Sequence, residues 1–191
     1  MSVVKEKKLE KLYNYLNENG FELSVEAISQ GIGISKKTFF NRYQHRKEME
    51  RIIQNYWRDK FKRRFEEKTE HCNNGVEIVL LFIFEILASN KNEHTFVQQE
   101  LKTNAFLASN QSNNFISIIK NSIENYNTSL CFKNEINLDS YAYFLVYNIF
   151  YILLTNKQIQ IDVIEFLLSP LLTEDGKIML DDINLEMMFN S

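Results

Sequence analysis

The sequence predicts an all-α protein, and three observations carry that reading. One proline and five glycines are spread over 191 residues, which leaves little turn chemistry for many strands. Apolar residues make up 45% of the chain and recur at helical spacing, enough for one sizeable core or a small module plus a larger one. Charge is segregated: residues 1–68 hold sixteen Lys and Arg against ten Asp and Glu, whereas residues 69–191 hold six against fifteen. The expected organisation is an amino-terminal three-helix domain over residues 1–46, a shared connecting helix over 46–72, and a larger helical body over 73–191. A basic front on an acidic body fits a polyanionic partner for the front only.

Residues 1–8 read as a basic arm. Leu9, Leu12, Tyr13 and Leu16 predict a first helix from Leu9 to Asn19, with Phe21 and Leu23 closing a small core. Residues 24–46, SVEAISQGIGISKKTFFNRYQHR, then read as two short helices around a tight glycine turn. Ser24 caps the first of them, which Val25, Ala27 and Ile28 make apolar on one face. The Gly31-Ile32-Gly33 run breaks it, because glycine enters left-handed backbone cheaply. Ser35 caps the second, Lys36 to Tyr43. Its Phe39, Phe40 and Tyr43 form an apolar side, and Lys36, Lys37, Thr38, Asn41 and Arg42 a polar, cationic one. A helix-turn-helix needs this layout: a buried seam, and a charged face free to enter a major groove.

Residues 9–57 also resemble the DNA-binding domain of the tetracycline-repressor (TetR) family. Asn19-Gly20-Phe21-Glu22 is similar to the family's glycine-aromatic stop, and Gly33-Ile34-Ser35-Lys36 to its glycine-valine-serine-lysine turn. Thr38-Phe39-Phe40-Asn41-Arg42-Tyr43 stands where the family has threonine-leucine-tyrosine-tyrosine-histidine-phenylalanine. Phe40 and Asn41 thus replace two tyrosines that often touch phosphates, and Lys37 replaces a frequent glycine. The resemblance implies a cytoplasmic, homodimeric, ligand-responsive repressor on a palindromic double-stranded operator. The residues expected at the duplex are Ser35, Lys36, Lys37, Thr38, Phe40, Asn41, Arg42, Tyr43 and Arg46. The cations would hold phosphates, and Lys37, Thr38 and Asn41 would reach base edges.

From Arg46 a helical stripe of Met49, Ile52, Ile53, Tyr56, Trp57, Phe61 and Phe65 predicts a long helix toward Glu70. Its cluster Lys60, Lys62, Arg63 and Arg64 reads as a solvated face, with a second phosphate patch as the alternative. Cys72-Asn73-Asn74-Gly75 marks the domain boundary. Val76 to Ala88 is apolar almost all round but too short to span a bilayer. Helices are expected over Glu93 to Leu107 and Phe115 to Tyr126, then a connection to Asp139. Tyr141 to Thr155 is the most apolar stretch; it too falls short of a span, with Asn148 at its middle. It reads as a helix covered by its own core and by a partner subunit. A last helix follows from residue 160, with an Asp162–Glu165 capping box, and Pro170 disturbs or ends it. By resemblance, segments 141–156 and 160–173 form the homodimer interface. The tail from Glu174 holds a glycine break and ends in Met187, Met188 and Phe189.

Little points to catalysis, metal or cofactor. His45, His71 and His94 stand in no ligand spacing, and Cys72 and Cys131 are too few for a finger or a disulfide framework. No glycine-rich phosphate loop or nucleophile elbow is present. Apolar rings on several helices of the body suggest a pocket for a hydrophobic or aromatic small molecule. Its candidate lining is Trp57, Phe61, Phe84, Gln98, Leu101, Ile119, Phe144, Tyr147 and Asn148. The alternative to a repressor is a TetR-like co-regulator or small-molecule-binding protein that has lost operator binding.

Overall fold

The computed structural model describes residues 3–103, 114–125, 131–155 and 160–183. Ten helices occupy them: α1 (Val3–Asn19), α2 (Val25–Gly31), α3 (Lys36–Tyr43), α4 (Arg46–Thr69), α5 (Gly75–Asn92), α6 (His94–Thr103), α7 (Phe115–Asn125), α8 (Leu138–Leu154), α9 (Ile161–Leu168) and α10 (Glu174–Asp181). Among the described residues the sole sheet-like pairing is a single bridge, Phe132 to Leu172.

From Val3 onward the expected arm is helical instead. α1 starts at Val3, and its acidic residues Glu6 and Glu10 find basic partners on α4, Arg63 and Lys60. Lys60 lies 4.1 Å from the centre of the Tyr13 ring and donates to Glu10 at 3.0 Å, and Tyr56 donates to the same carboxylate. α1 stops at Gly20, whose φ of +80° lets its N–H reach the Leu16 carbonyl at 2.8 Å. Leu9, Leu12, Tyr13 and Leu16 are buried, and Phe21 meets Phe96 of α6 edge-on at 5.2 Å.

α4 is about 36 Å long and touches the front helices and the body alike. Its basic cluster is neither a free phosphate patch nor simply solvated. Lys60 and Arg63 reach α1, Lys62 pairs with Glu66, and Arg64 reaches α5 and Glu93.

α5 runs four residues past its expected end, through Asn92, and packs against α4, α6, α7 and α10. Behind it Phe61, Phe65, Phe82 and Phe115 interlock edge-to-face, and Phe115 meets Phe150 of α8 at 5.1 Å. The expected extension of α6 beyond residue 103, and residue 126 after α7, lie outside the described residues.

α9 starts at Ile161 with Gln160 as its cap residue, so the predicted capping box does not form; Asp162 instead accepts from the N–H of Val163. The helix ends at Leu168, two residues before Pro170. The tail glycine is not a break either. Gly176 lies within α10, where a Cβ would overlap the carbonyl oxygen of Cys131. It is glycine because the helix presses on another backbone. Met187, Met188 and Phe189 fall outside the described residues. Among those described, no helix is long and apolar enough to cross a membrane, and no three His, Cys, Asp or Glu side chains group as metal ligands would.

Candidate nucleic-acid interface and effector region

The geometry of α3 is set by its two ends. Gly33 adopts φ +70°, and the N–H groups of Ile32, Gly33 and Ile34 close on the carbonyls of Ile28, Gln30 and Ser29. That turn folds α3 back into contact with α2. The Ser24 hydroxyl accepts from the Ala27 N–H at 3.2 Å, and the Ser35 hydroxyl from the Thr38 N–H at 3.1 Å. Gly31 must also be small: its backbone abuts the ring of Tyr15 on α1. At its far end α3 stops at Gln44, a non-glycine residue at φ 59°. The Nδ1 of His45 then caps α4 by accepting from the Glu48 N–H at 3.1 Å.

Phe39 and Tyr43 hold α3 to the core, their rings 5.0 Å apart. Ser35, Lys36, Lys37, Asn41 and Arg42 are exposed, and Thr38 is half-buried. Two expectations change. Phe40 is not part of the packed side: it is 40% exposed and stands among the polar residues. Tyr43, expected at the duplex, is buried instead, and burial pushes its phenol upward in pKa. Lys36 pairs with Glu26 of α2, which holds that carboxyl below its usual range. Lys37 and Asn41 have no side-chain partner among the described residues.

Arg46 is engaged inside the protein rather than free for a phosphate. It donates to the Leu23 carbonyl at 2.6 Å, to the Phe21 carbonyl and to Glu50 at 2.7 Å. It thus ties the turn between α1 and α2 to the first turn of α4.

The nine residues expected around an effector split into three groups. Trp57, Phe61, Leu101 and Ile119 are buried; the Trp57 ring lies 5.9 Å from that of Phe96 and 5.6 Å from that of Phe115. Phe144 and Tyr147 are on the exposed face of α8, where Asn148 donates back to the Phe144 carbonyl. Phe84 and Gln98 are half-buried. Helical periodicity marks an apolar face but does not say whether core or surface meets it. The exposed face of α8 carries Tyr143, Tyr147 and Tyr151 in a near-parallel ladder with ring centres 6.2 and 6.4 Å apart. Leu154 of α8 and Phe166 of α9 are exposed apolar residues as well.

Two polar nodes join the front helices to the body, and periodicity signalled neither. Glu93, between α5 and α6, is 5% exposed. It accepts from the Tyr13 hydroxyl of α1, from Trp57 Nε1 at 3.1 Å and from Arg64 at 3.0 Å. Burial raises the Glu93 pKa, but Arg64, Tyr13 and Trp57 outweigh it and hold the carboxyl below its usual range. On the other side of α4, Arg58 grips Glu100 of α6 with two bonds of 2.9 and 2.8 Å, both side chains buried. Near these nodes lie two clefts, of about 340 Å³ between α4 and α6 and about 290 Å³ beside Tyr13, Arg64 and Glu93.

No family model matches the sequence, and no curated protein matches it. Solved structures do. One, concerned with the control of antibiotic production by bacterial hormones, has a TM-score of 0.68 at 10% identity, covering 91% of this chain and 100% of that one. The transcriptional regulator FadR from Bacillus subtilis, solved with stearoyl-CoA, has a TM-score of 0.61 at 13% identity, over 87% of this chain and 98% of its own. The ketosteroid transcriptional regulator KstR2 of Mycobacterium tuberculosis has a TM-score of 0.54 at 14% identity, over 91% and 97%. The fold is that of the TetR-type regulators.

Within this TetR-type fold, two features of the junction escaped the sequence. His45 is the cap of α4, yet histidine is not among the usual capping residues, so no local signal marked it. The sequence places Glu93 at the start of a helix, whereas it is the single non-helical residue between α5 and α6. FadR and KstR2 are both transcriptional regulators.

Proposed function

We propose that this chain is a ligand-responsive, homodimeric transcriptional repressor of TetR type that binds a palindromic DNA operator. The observation that carries the reading is the outer face of α3. Lys36, Lys37, Phe40, Asn41 and Arg42 stand exposed on a helix fixed from behind by Phe39 and Tyr43 and capped by Ser35. Lys37 and Arg42 would neutralise phosphates, and Asn41 suits the paired donor and acceptor of an adenine edge. Phe40 offers an apolar contact where its family counterpart has a hydroxyl. Arg46 is left out of the contact set, its donors being engaged by Phe21, Leu23 and Glu50.

α1–α3 form the reading head, α4 is shared, and the remaining helices bind effector and partner. The tyrosine ladder of α8, with Phe144, Leu154 and Phe166, is the surface a second copy would cover. Two copies of α3 would then address major grooves about 34 Å apart. An effector acts only by preferring a dimer in which that separation is wrong. Such a protein works in the cytoplasm.

Selection from a random-site DNA library would identify the operator. The variant Lys36→Glu/Lys37→Glu should then lose about a hundredfold or more in affinity while remaining a folded dimer, and the parent should bind more weakly with rising salt. Equal binding by the two proteins would overturn the assignment of α3. Failure of the library to yield any site would favour a co-regulator that has lost operator binding.

A further inference from the structure

The cleft between α4 and α6 is more than a gap between two helices, and what it suggests rests on the effector-responsive reading above. Its α4 wall is Lys47, Glu50, Arg51, Gln54 and Arg58, and its α6 wall is Gln99 and Thr103. Most of its charges are matched within the protein. Glu50 takes Arg46, Arg51 forks onto Glu48, and Arg58 is locked on Glu100. Lys47 pairs with no acidic side chain among the described residues. Gln54 is the second unmatched group. It is 5% exposed, its amide nitrogen points to the Phe96 carbonyl at 3.4 Å, and its side-chain oxygen meets no donor. A buried amide oxygen without a donor costs free energy that a bound N–H or O–H would recover.

We propose that this cleft binds a small monocarboxylic acid with a hydroxyl or amide N–H at its other end. The carboxylate pairs with Lys47 beside Arg51, and the donor bonds to the Gln54 oxygen, which a turn of that buried side chain brings into the cleft. α4 sets the required length. Lys47, Arg51, Gln54 and Arg58 lie along one side of the helix, with Gln54 about 4.5 Å along the axis from Arg51 and about 10 Å from Lys47. A single aromatic ring bearing a carboxylate and a para hydroxyl spans that interval. The aliphatic stems of Lys47 and Arg51 offer it an apolar wall. A ligand seated here touches α4 and α6 together, next to the Arg58–Glu100 grip and within three turns of α3. It is therefore placed to alter how the reading head is carried.

Isothermal titration of the full-length protein with two matched pairs tests this: 4-hydroxybenzoate against benzoate, and 4-hydroxyphenylacetate against phenylacetate. In at least one pair the hydroxylated acid should bind about five- to tenfold more tightly, the worth of one recovered hydrogen bond. Gln54→Leu should abolish that preference, and Lys47→Gln should weaken both members of the pair while preserving it. Should Gln54→Leu not fold, the preference in the parent protein and its survival in Lys47→Gln still decide. No binding of either hydroxylated acid at millimolar concentration, or equal affinity within both pairs, overturns the proposal. Operator binding is measured separately. A protein that binds operator but none of these acids refutes the site alone, and one that binds the acids but no DNA refutes the regulator alone.

Discussion

Replacing Glu93 by glutamine perturbs the junction at one atom while keeping its shape. In the wild type this carboxylate accepts from Tyr13, Trp57 and Arg64, which come from α1 and from two turns of α4. The amide offers one acceptor oxygen and turns a donor toward a site already filled by donors. Breaking one side of a fully buried ion pair costs about 3–5 kcal/mol. Arg64 is about a third exposed and keeps Glu85 at 2.9 Å and Ser89 at 2.7 Å, so its share of that loss is screened and partly recovered. The expected destabilisation is therefore about 2–3 kcal/mol, read by urea denaturation at pH 7. The pH dependence has a definite direction. Because the folded carboxyl is held below the usual carboxylate range, it stabilises the fold above that range and ceases to do so as pH falls through the folded value. Glu93→Gln should flatten the acid side of the stability curve in that window. A double-mutant cycle with Tyr13→Phe should show coupling of about 1 kcal/mol. Additive effects, or a loss under about 0.5 kcal/mol for Glu93→Gln, would refute the claim that this residue fastens α1 to the body.

Other outcomes follow from the same geometry. Gly176→Ala should cost about 1–3 kcal/mol in denaturation, because the new methyl meets the backbone of Cys131 rather than a movable side chain. Ser35→Ala should cost about 1 kcal/mol, with weaker operator binding from a frayed start to α3; an unchanged melt would contradict the capping bond. Tyr147→Arg places a charge in the middle of the tyrosine ladder, and light scattering should report a shift from dimer to monomer. A dimer that persists would move the interface elsewhere.

What the sequence made legible was local. Ser24, Ser35 and Gly33 act on backbone within a few residues of themselves, so their spacing sufficed to place α2 and α3. The bounds of α3 agree with the sequence reading at both ends. Contacts made across long stretches of chain were not legible. Glu93 takes a hydroxyl from eighty residues away, and Gly176 is pressed by a carbonyl of Cys131. Arg46 looked like a free cation at a helix start, yet its acceptors are carbonyls that only the folded turn supplies. The effector set divides between core and surface for a related reason. α8 is apolar on both faces, so periodicity could not separate Phe144 and Tyr147, which face outward, from Leu145 and Ile149, which face in.

Trp57 is the chain's single tryptophan, and its indole N–H ends on Glu93 while its ring stacks on Phe96. The protein therefore carries an intrinsic fluorophore at the seam between its two halves. Any shift of α4 against α6 changes the polarity and quenching around that ring. Emission from the unlabelled protein thus offers a continuous optical record of the seam during a titration.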